Sequence, residues 1–333
     1  MSEPTDATAS PAPPPASSAS TAPQPGSRML LDTASLYFRA FFGVPDSFRA
    51  PDGTPVNAVR GLLDFISRLT EQYRPAELVC CWDNDWRPAW RVALIPSYKA
   101  HRLVRATPGD APDIEEVPDP LSRQVPIILD VLDALGIAVV GVDGYEADDV
   151  IGTLATDAGR PVQVVTGDRD LFQLVDDQLG IRVLYTARGV SRHEVITESV
   201  VLDKYGVHAS QYADFATLRG DASDGLPGVR GVGEKTAATL LGRFGTIDGL
   251  MAAAADPDSD LAPGPRSKLK EASAYLEVAP EAVAVARHLA VPRQGLELPR
   301  SPRDPARLVE LAGQWNLDSP LARLVDVLTS SNN

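Results

Sequence analysis

Cysteine is nearly absent from this chain: two in 333 residues, Cys80 and Cys81, side by side in an apolar run. Such neighbours are expected to be strand residues rather than a disulfide or a metal pair, the usage of a reduced compartment. No apolar run approaches the length that crosses a bilayer, so membrane insertion is not expected. Lys, Arg and aromatics are missing from residues 1 to 27, which hold seven Pro, six Ala and six Ser. That composition cannot bury a core, and a disordered tail is expected. It lacks the charged start and apolar centre of a secretory signal and the arginines of an organellar transit peptide, which leaves the cytoplasm as the expected location. Positive charge is in deficit overall, with 31 Lys and Arg against 45 Asp and Glu and a formal net charge of −14.

Hydrophobic residues make up 44% of the chain, enough for a globular core. The length leaves room for about two domains. Met29–Leu31, Leu78–Trp82, Ile137–Val140 and Val162–Thr166 read as short buried strands. Between them, Leu36, Tyr37, Ala40 and Phe41 keep helical spacing, residues 56 to 73 form an amphipathic helix, and residues 121 to 135 look helical. Strands alternating with helices imply an α/β fold with a mostly parallel central sheet flanked by helices. An acid follows each strand in turn: Asp32, Asp83, Glu146 and Asp168.

The stretch from Glu146 to Asp170 concentrates this chemistry. Glu146 and Asp149 are three apart and share a helix face, while Asp148 points to a flank, so one first turn can serve two neighbouring points. A helix N-terminus favours anions and offsets part of their repulsion. Beyond that, carboxylates this dense would partly protonate unless a cation held them. Asp168 and Asp170 follow the fourth strand, and Asp221 and Asp224 lie in a loop after the helical segment Gln211–Arg219. Read singly, each motif is as well explained by a solvated helix start or an Asp-rich turn. Together, Asp32, Asp83, Glu146, Asp148, Asp149, Asp168, Asp170, Asp221 and Asp224 are nine candidate ligands, all oxygen, which suits Mg²⁺ or Mn²⁺ rather than zinc. Their charge is most of the net −14, so the acidity describes a site and not a repulsive surface.

Two segments point to a phosphate backbone as partner. From Trp86 to Gly109 there is no acid, and Arg87, Arg91, Lys99, Arg102 and Arg105 interleave with Trp86, Trp90 and Tyr98. Cations that track phosphates and rings that stack on bases make a single-strand groove, although any one of these residues could pack on the core instead. The polar, poorly periodic stretch 103–119 is expected to be mobile. The second segment runs from Gly228 through Arg230, Gly231, Gly233 and Lys235 to Thr236. A nucleotide phosphate loop would need Lys directly after its last Gly, and here Glu234 intervenes. A helix-hairpin-helix fits better, its glycines letting backbone N–H groups grip one phosphate without reading bases.

The order of Asp32-Thr-Ala-Ser-Leu-Tyr-Phe-Arg-Ala-Phe, Trp82-Asp83, Trp90-Arg91 with Tyr98-Lys99, Gly144-Tyr-Glu-Ala-Asp-Asp149, Gly167-Asp-Arg-Asp170 and Gly220-Asp-Ala-Ser-Asp224 resembles the 5′-nuclease family. That family comprises flap endonucleases and the 5′ to 3′ exonuclease domain of bacterial DNA polymerase I. The similarity runs from Met29 to about Pro292, and the chain resembles a stand-alone member. Trp82 stands where Phe is usual, and Gly225 where Asn is frequent.

The resemblance implies a PIN-like 5′-nuclease fold: tail 1–27, α/β nuclease domain 28–200 with an arch over about 87–117, helical region 201–295 with the hairpin, and C-terminal helices and tail 296–333. It implies structure-specific hydrolysis of DNA near 5′ ends, at flaps, nicks or gaps and at RNA primer ends, by a monomer holding two or more Mg²⁺ or Mn²⁺ ions. One metal is expected near Asp32, Asp83, Glu146 and Asp148, the other near Asp148 or Asp149 with Asp168, Asp170, Asp221 and Asp224. Lys99 matches the lysine that offsets charge on the phosphate, with Arg91 and Arg102 steering, and K⁺ is expected on the hairpin carbonyls. A ribonuclease of related acidic-site fold would not need the hairpin or the last acid pair. A small-molecule phosphatase would have no use for the basic aromatic segment. A non-catalytic DNA-structure binder would have lost ligands, and none of the nine is missing.

Overall fold

The computed structural model describes residues 22–105 and 113–330 and, of Arg105, the backbone alone. Residues 1–21 of the tail and 106–112 of the arch therefore lie outside the described residues. The stretch taken as tail ends too late at residue 27. Gly26 N–H donates to the Arg74 carbonyl at 3.1 Å, and the carbonyl of the buried Ser27 accepts from Ala76 at 2.9 Å, so the packed chain begins before Arg28.

Strand β1 (Arg28–Asp32) is buried throughout and runs into helix α1 (Thr33–Gly43). Asp32 makes the junction, its side chain accepting from Ser35 N–H at 3.1 Å as the N-cap. Then come α2 (Asn57–Tyr73), β2 (Glu77–Trp82) and α3 (Ala89–Leu94). Strands β3 (Leu103–Arg105) and β4 (Ile114–Glu115) form a small antiparallel pair where only a mobile stretch was expected. The short α4 (Asp119–Ser122), α5 (Gln124–Leu135), β5 (Ala138–Gly141), α6 (Ala147–Ala155) and β6 (Val162–Thr166) follow. Two strands without a sequence signal complete the sheet, β7 (Ile181–Tyr185) and β8 (Glu194–Ile196). The rest is helical: α7 (Glu198–Tyr205), α8 (Tyr212–Arg219), α9 (Glu234–Phe244), α10 (Ile247–Ala255), α11 (Pro263–Glu271), α12 (Ser273–Val283), α13 (Pro305–Trp315) and α14 (Asp318–Ser330). Among the described residues no helix is long and apolar enough to cross a membrane.

The sheet order is β5-β2-β1-β6-β7-β8, parallel except for β8. Period-two alternation sends Leu30, Val79, Cys81 and Val164 to one face, where they pack with α6 and the later helices. Met29, Leu31, Cys80 and Val165 face the other side with α2, α5, α13 and α14. The two cysteines thus belong to opposite cores and are free, as their reading as strand residues requires. The chain leaves central β1 toward β2 and β5, then returns to β6 on its other side. This reversal opens a crevice at the carboxyl ends of β1 and β6, the place where open α/β sheets bind ligands.

Candidate metal and nucleic-acid site

The crevice holds a cavity of about 350 Å³ lined by Asp32, Asp83, Glu146, Asp148 and Asp168, with Lys99 and Arg102 on its wall. Each acid is placed by the end of an element. Asp32 ends β1, and its Oδ2 accepts from Thr166 Oγ1 at 2.7 Å. The same Thr166 hydroxyl accepts from Asp168 N–H at 2.9 Å, which ties the ends of β1 and β6 together. Asp83 follows β2 and accepts from Ala147 N–H at 2.7 Å in the first turn of α6.

Burial in this company disfavours charge. Desolvation, with Asp83 and Asp168 adding to it, pushes the Asp32 carboxyl up to about 7. Asp148 is raised well above the ordinary range by burial, then by Asp32 and Asp168. Burial raises Asp83 as well. Glu146 goes the other way: its burial is outweighed by Lys99 and Arg91, which hold it below the ordinary value. Both basic groups bond it, and Tyr98 OH donates to its Oε2 at 2.6 Å.

Asp149 is not brought to the cavity. Its Oδ1 accepts from Arg91 Nη2 at 2.7 Å and from Ala286 N–H at 2.8 Å, and its Oδ2 from Arg91 Nη1 at 2.8 Å and from Glu146 N–H at 3.2 Å. The metal role expected of Asp149 is withdrawn, because its oxygens are taken by Arg91 and two backbone N–H groups and it does not line the cavity. The steering role expected of Arg91 goes with it: the guanidinium is buried beneath the site and also donates to the Ala282 carbonyl at 2.9 Å.

A second group of acids adjoins the first. Asp170 is raised well above its ordinary value by burial, then by Asp168 and Asp224, and burial raises Asp224. Asp221 differs: although burial raises it, hydrogen bonds from Ser223 and the nearby Arg219 hold it below the ordinary value. The Gly220–Gly225 loop is docked on the Lys99 segment. Lys99 N–H donates to the Asp224 carbonyl at 2.9 Å, and Ser97 Oγ to the Gly225 carbonyl at 2.7 Å. Gly225 has φ +70°, and a β-carbon there would lie 2.0 Å from the Ser97 carbonyl oxygen. The two backbones touch here, and any side chain at 225 would require one of them to shift.

Most of the expected arch is packed structure. Arg87 is buried, paired with Asp113 and donating to the Tyr98 carbonyl at 2.6 Å, so it presents no cation to a strand. Tyr98 is likewise buried with its hydroxyl on Glu146, and it cannot stack on a base. Both DNA-contact expectations are corrected: desolvated ring and guanidinium hold the segment down. Lys99 and Arg102 keep access to the cavity, Arg102 donating to the Ser223 carbonyl at 3.0 Å and lying 3.5 Å from Asp224 Oδ1. The side chain of Arg105 lies outside the described residues.

The hairpin joins α8 to α9, with Val229 and Val232 buried and Arg230, Gly231, Gly233 and Lys235 exposed beside half-buried Thr236. Gly228 is half-buried and packed on one side against the loop after α8. At φ +66° it lies so near Gly220 that a β-carbon would sit 2.5 Å from that backbone nitrogen. Gly233 caps α9 in extended backbone with open space around it, leaving the first N–H groups of the helix uncovered. The Gly231 carbonyl accepts from Lys268 Nζ at 2.8 Å, so K⁺ does not have that oxygen to itself.

Residues 27–206 match the family described as 5′-3′ exonuclease, N-terminal resolvase-like domain, and residues 207–306 match 5′-3′ exonuclease, C-terminal SAM fold. The chain belongs to the 5′-3′ exonuclease family. A Streptomyces coelicolor 5′-3′ exonuclease is 61% identical over 302 residues, covering 91% of this chain and all of that one. A Mycobacterium tuberculosis 5′-3′ exonuclease is 52% identical, covering 90% of this chain and 97% of its own. The fold is shared with a T5 5′-exonuclease solved with bound zinc (TM-score 0.60, 17% identity, 92% of this chain and 100% of that one). It is shared also with flap endonuclease-1 from Methanococcus jannaschii (TM-score 0.56, 16% identity, 92% and 93%). As a member of its family, the chain is a 5′-3′ exonuclease.

The carboxylates of this exonuclease fit hard divalent cations. Asp170 Oδ1 and Asp224 Oδ1 are buried without a hydrogen bond, and for Asp83 and Asp148 burial outweighs the nearby Lys99, as it outweighs the hydrogen bonds to Asp32. Among the described residues no three acids close into a finished ligand set. Lys99 and Arg91 both bond Glu146 and draw its carboxylate toward themselves. Sequence reasoning missed Thr166, whose place just before Gly-Asp-Arg-Asp was its signal. It also missed Glu115, an acid that β4 brings to the cavity wall out of an aperiodic stretch.

Proposed function

We propose that the protein hydrolyses DNA phosphodiesters near 5′ ends, as a 5′ to 3′ exonuclease and flap endonuclease using two divalent ions, Mg²⁺ or Mn²⁺. One set of ligands would be Asp32, Asp83, Glu146 and Asp148, the other Asp168, Asp170, Asp221 and Asp224. Bound there, the ions supply the charge that acidifies a water and stabilises the phosphorane. The chain's own groups do the rest. Thr166 fixes Asp32 and Asp168 against each other. The Lys99 ammonium, held at the cavity wall by Glu146, is placed to donate to a phosphate oxygen once a strand enters. Arg102 is the steering cation that remains exposed enough to meet that strand. The exposed hairpin and the uncovered N-terminus of α9 favour a duplex phosphate.

The observation that carries this reading is the meeting of Asp32, Asp83, Asp148 and Asp168 in one crevice under Lys99. A non-catalytic binder of DNA structures has no use for carboxyls held at raised pKa. DNA with a 5′ flap, nick or gap, RNA primer ends included, is the proposed substrate, cut by a monomer. Two free, buried cysteines suit the reducing cytoplasm. Cleavage of 5′-labelled flap, nicked duplex and RNA-primed duplex with Mg²⁺, Mn²⁺ or chelator tests the reading. Metal-dependent products released from the 5′ side are expected, and products from the 3′ side alone would reject it.

A further inference from the structure

The hairpin between α8 and α9 turns its valines inward and its backbone outward, with Gly231 at φ +73° on the outside. An outward carbonyl at such a turn carries partial negative charge beside the place where a phosphate would dock, and a cation on it removes that repulsion. This chain has one of its own. Lys268 reaches over the turn from α11, and its Nζ donates to the Gly231 carbonyl at 2.8 Å. Its stem lies so close that a β-carbon on Gly231 would come 3.3 Å from Cε and 2.9 Å from Nζ.

The platform under Lys268 is rigid. Two residues earlier, Arg266 spreads its guanidinium over the carbonyls of Ala253 (2.9 Å), Ala254 (3.2 Å), Ser259 (3.1 Å) and Leu261 (3.1 Å). That fan locks the start of α11 to the end of α10. One residue later, Leu269 is buried completely. The lysine between them therefore springs from a fixed backbone, and its ammonium loses less freedom on reaching the turn than a lysine on a loop would.

We propose that Lys268 is a tethered monovalent cation for the hairpin, doing at the Gly231 carbonyl what a K⁺ ion from solution would otherwise do. An ammonium carries the same unit charge as K⁺ and binds carbonyl oxygens by donating hydrogen bonds rather than by shedding water. Supplied by the chain, it is present at any salt composition. Lys268 is then a positioning residue: it fixes the Gly231 peptide and leaves the N–H groups that open α9 to hold the phosphate. The consequence is duplex affinity that does not depend on which monovalent ion is present. This rests on the hairpin being the duplex-binding element.

The test measures binding of the full chain to a labelled nicked duplex and a labelled single strand by fluorescence anisotropy. Chelator prevents cleavage, and ionic strength is held constant with potassium, sodium or tetramethylammonium chloride. Wild-type affinity for the duplex is expected to agree within about twofold across the three salts. Lys268→Met is expected to lose about fivefold in tetramethylammonium and to recover most of it in potassium, with single-strand affinity unchanged. Lys268→Arg, which keeps charge and donors, should remain salt-indifferent. A wild type that loses duplex affinity when potassium is withdrawn overturns the proposal. So does a Lys268→Met variant weakened equally in all three salts, which would make Lys268 an ordinary phosphate contact. A wild type that binds single strand but no duplex in any salt would reject the hairpin reading itself, and the proposal with it.

Discussion

Arg91 and Asp149 form a two-pronged ion pair at 2.7 and 2.8 Å, with the arginine 2% and the aspartate 0% exposed. The pair sits behind the acidic crevice and, through the bond from Arg91 to Glu146, sets where the first turn of α6 begins. Neighbouring acids at 148 and 149 thus have opposite duties, one facing the cavity and one anchoring the helix.

Breaking that pair should cost stability rather than metal affinity. Arg91→Ala leaves a buried carboxylate uncompensated, and a loss of roughly 3–5 kcal/mol is expected in chemical unfolding. Asp149→Asn should also lower the thermal midpoint while leaving Mn²⁺ affinity, read by calorimetry on the folded protein, within about threefold. Asp148→Asn should do the reverse. Strong loss of Mn²⁺ binding in a stable Asp149→Asn protein would return Asp149 to the ligands.

Stability without metal should fall as pH rises. The Asp32 carboxyl, pushed up to about 7, binds a proton in the folded state at pH values where the unfolded chain has released it. Asp83, Asp148, Asp170 and Asp224 are raised in the same sense. Above the unfolded carboxyl value of about 4, folding then takes up protons, and stability declines from there through about pH 7. Glu146 and Asp221, held low, contribute stability that is lost only toward more acid pH. In chelator, the thermal midpoint should be higher near pH 5.5 than near pH 8, and Mn²⁺ should raise it more at the higher pH. A midpoint that climbs with pH in chelator would contradict the account.

Lys99 and Arg102 should separate kinetically. Lys99→Ala is expected to slow single-turnover cleavage by about a hundredfold with little loss of affinity, because it removes a preorganised donor. Arg102→Ala should chiefly raise the dissociation constant and flatten its salt dependence by about one slope unit. If Lys99→Ala altered affinity alone, its role would be steering.

The two exposed hairpin glycines should also differ. Gly231 needs its positive φ, so Gly231→Ala is expected to cost about 1 kcal/mol of stability. Gly233 sits in extended backbone with open space, so Gly233→Ala should fold normally and lose duplex binding through bulk at the helix N-terminus. Unchanged duplex affinity in Gly233→Ala would remove that backbone from the interface.

The parallel sheet was legible because four of its strands, β1, β2, β5 and β6, are runs of apolar residues followed by an acid, and Asp32, Asp83 and Asp168 stand where those endings implied. The burial of Arg87, Arg91 and Tyr98 was not. A basic, aromatic stretch reads alike whether its side chains meet a strand or fold back on Asp113, Asp149 and Glu146, and long-range partners leave no local period. Strands β7 and β8 escaped for a related reason: a three-residue strand such as Glu194–Ile196 exists only through its neighbour. Asp149 misled because spacing on a helix gives a shared face but not what that face meets.

The most direct measurement is single-turnover cleavage of a 5′-labelled flap by wild type and by Asp148→Asn, each with Mg²⁺, with Mn²⁺ and with chelator. The account expects short 5′-labelled products from the wild type with either metal and none with chelator. It expects Asp148→Asn to bind the flap at least as tightly while cleaving it more than a hundredfold more slowly, since the change removes a ligand and also a charge that repels phosphate. Cleavage by Asp148→Asn within about tenfold of wild type, or wild-type cleavage that persists in chelator, would contradict it.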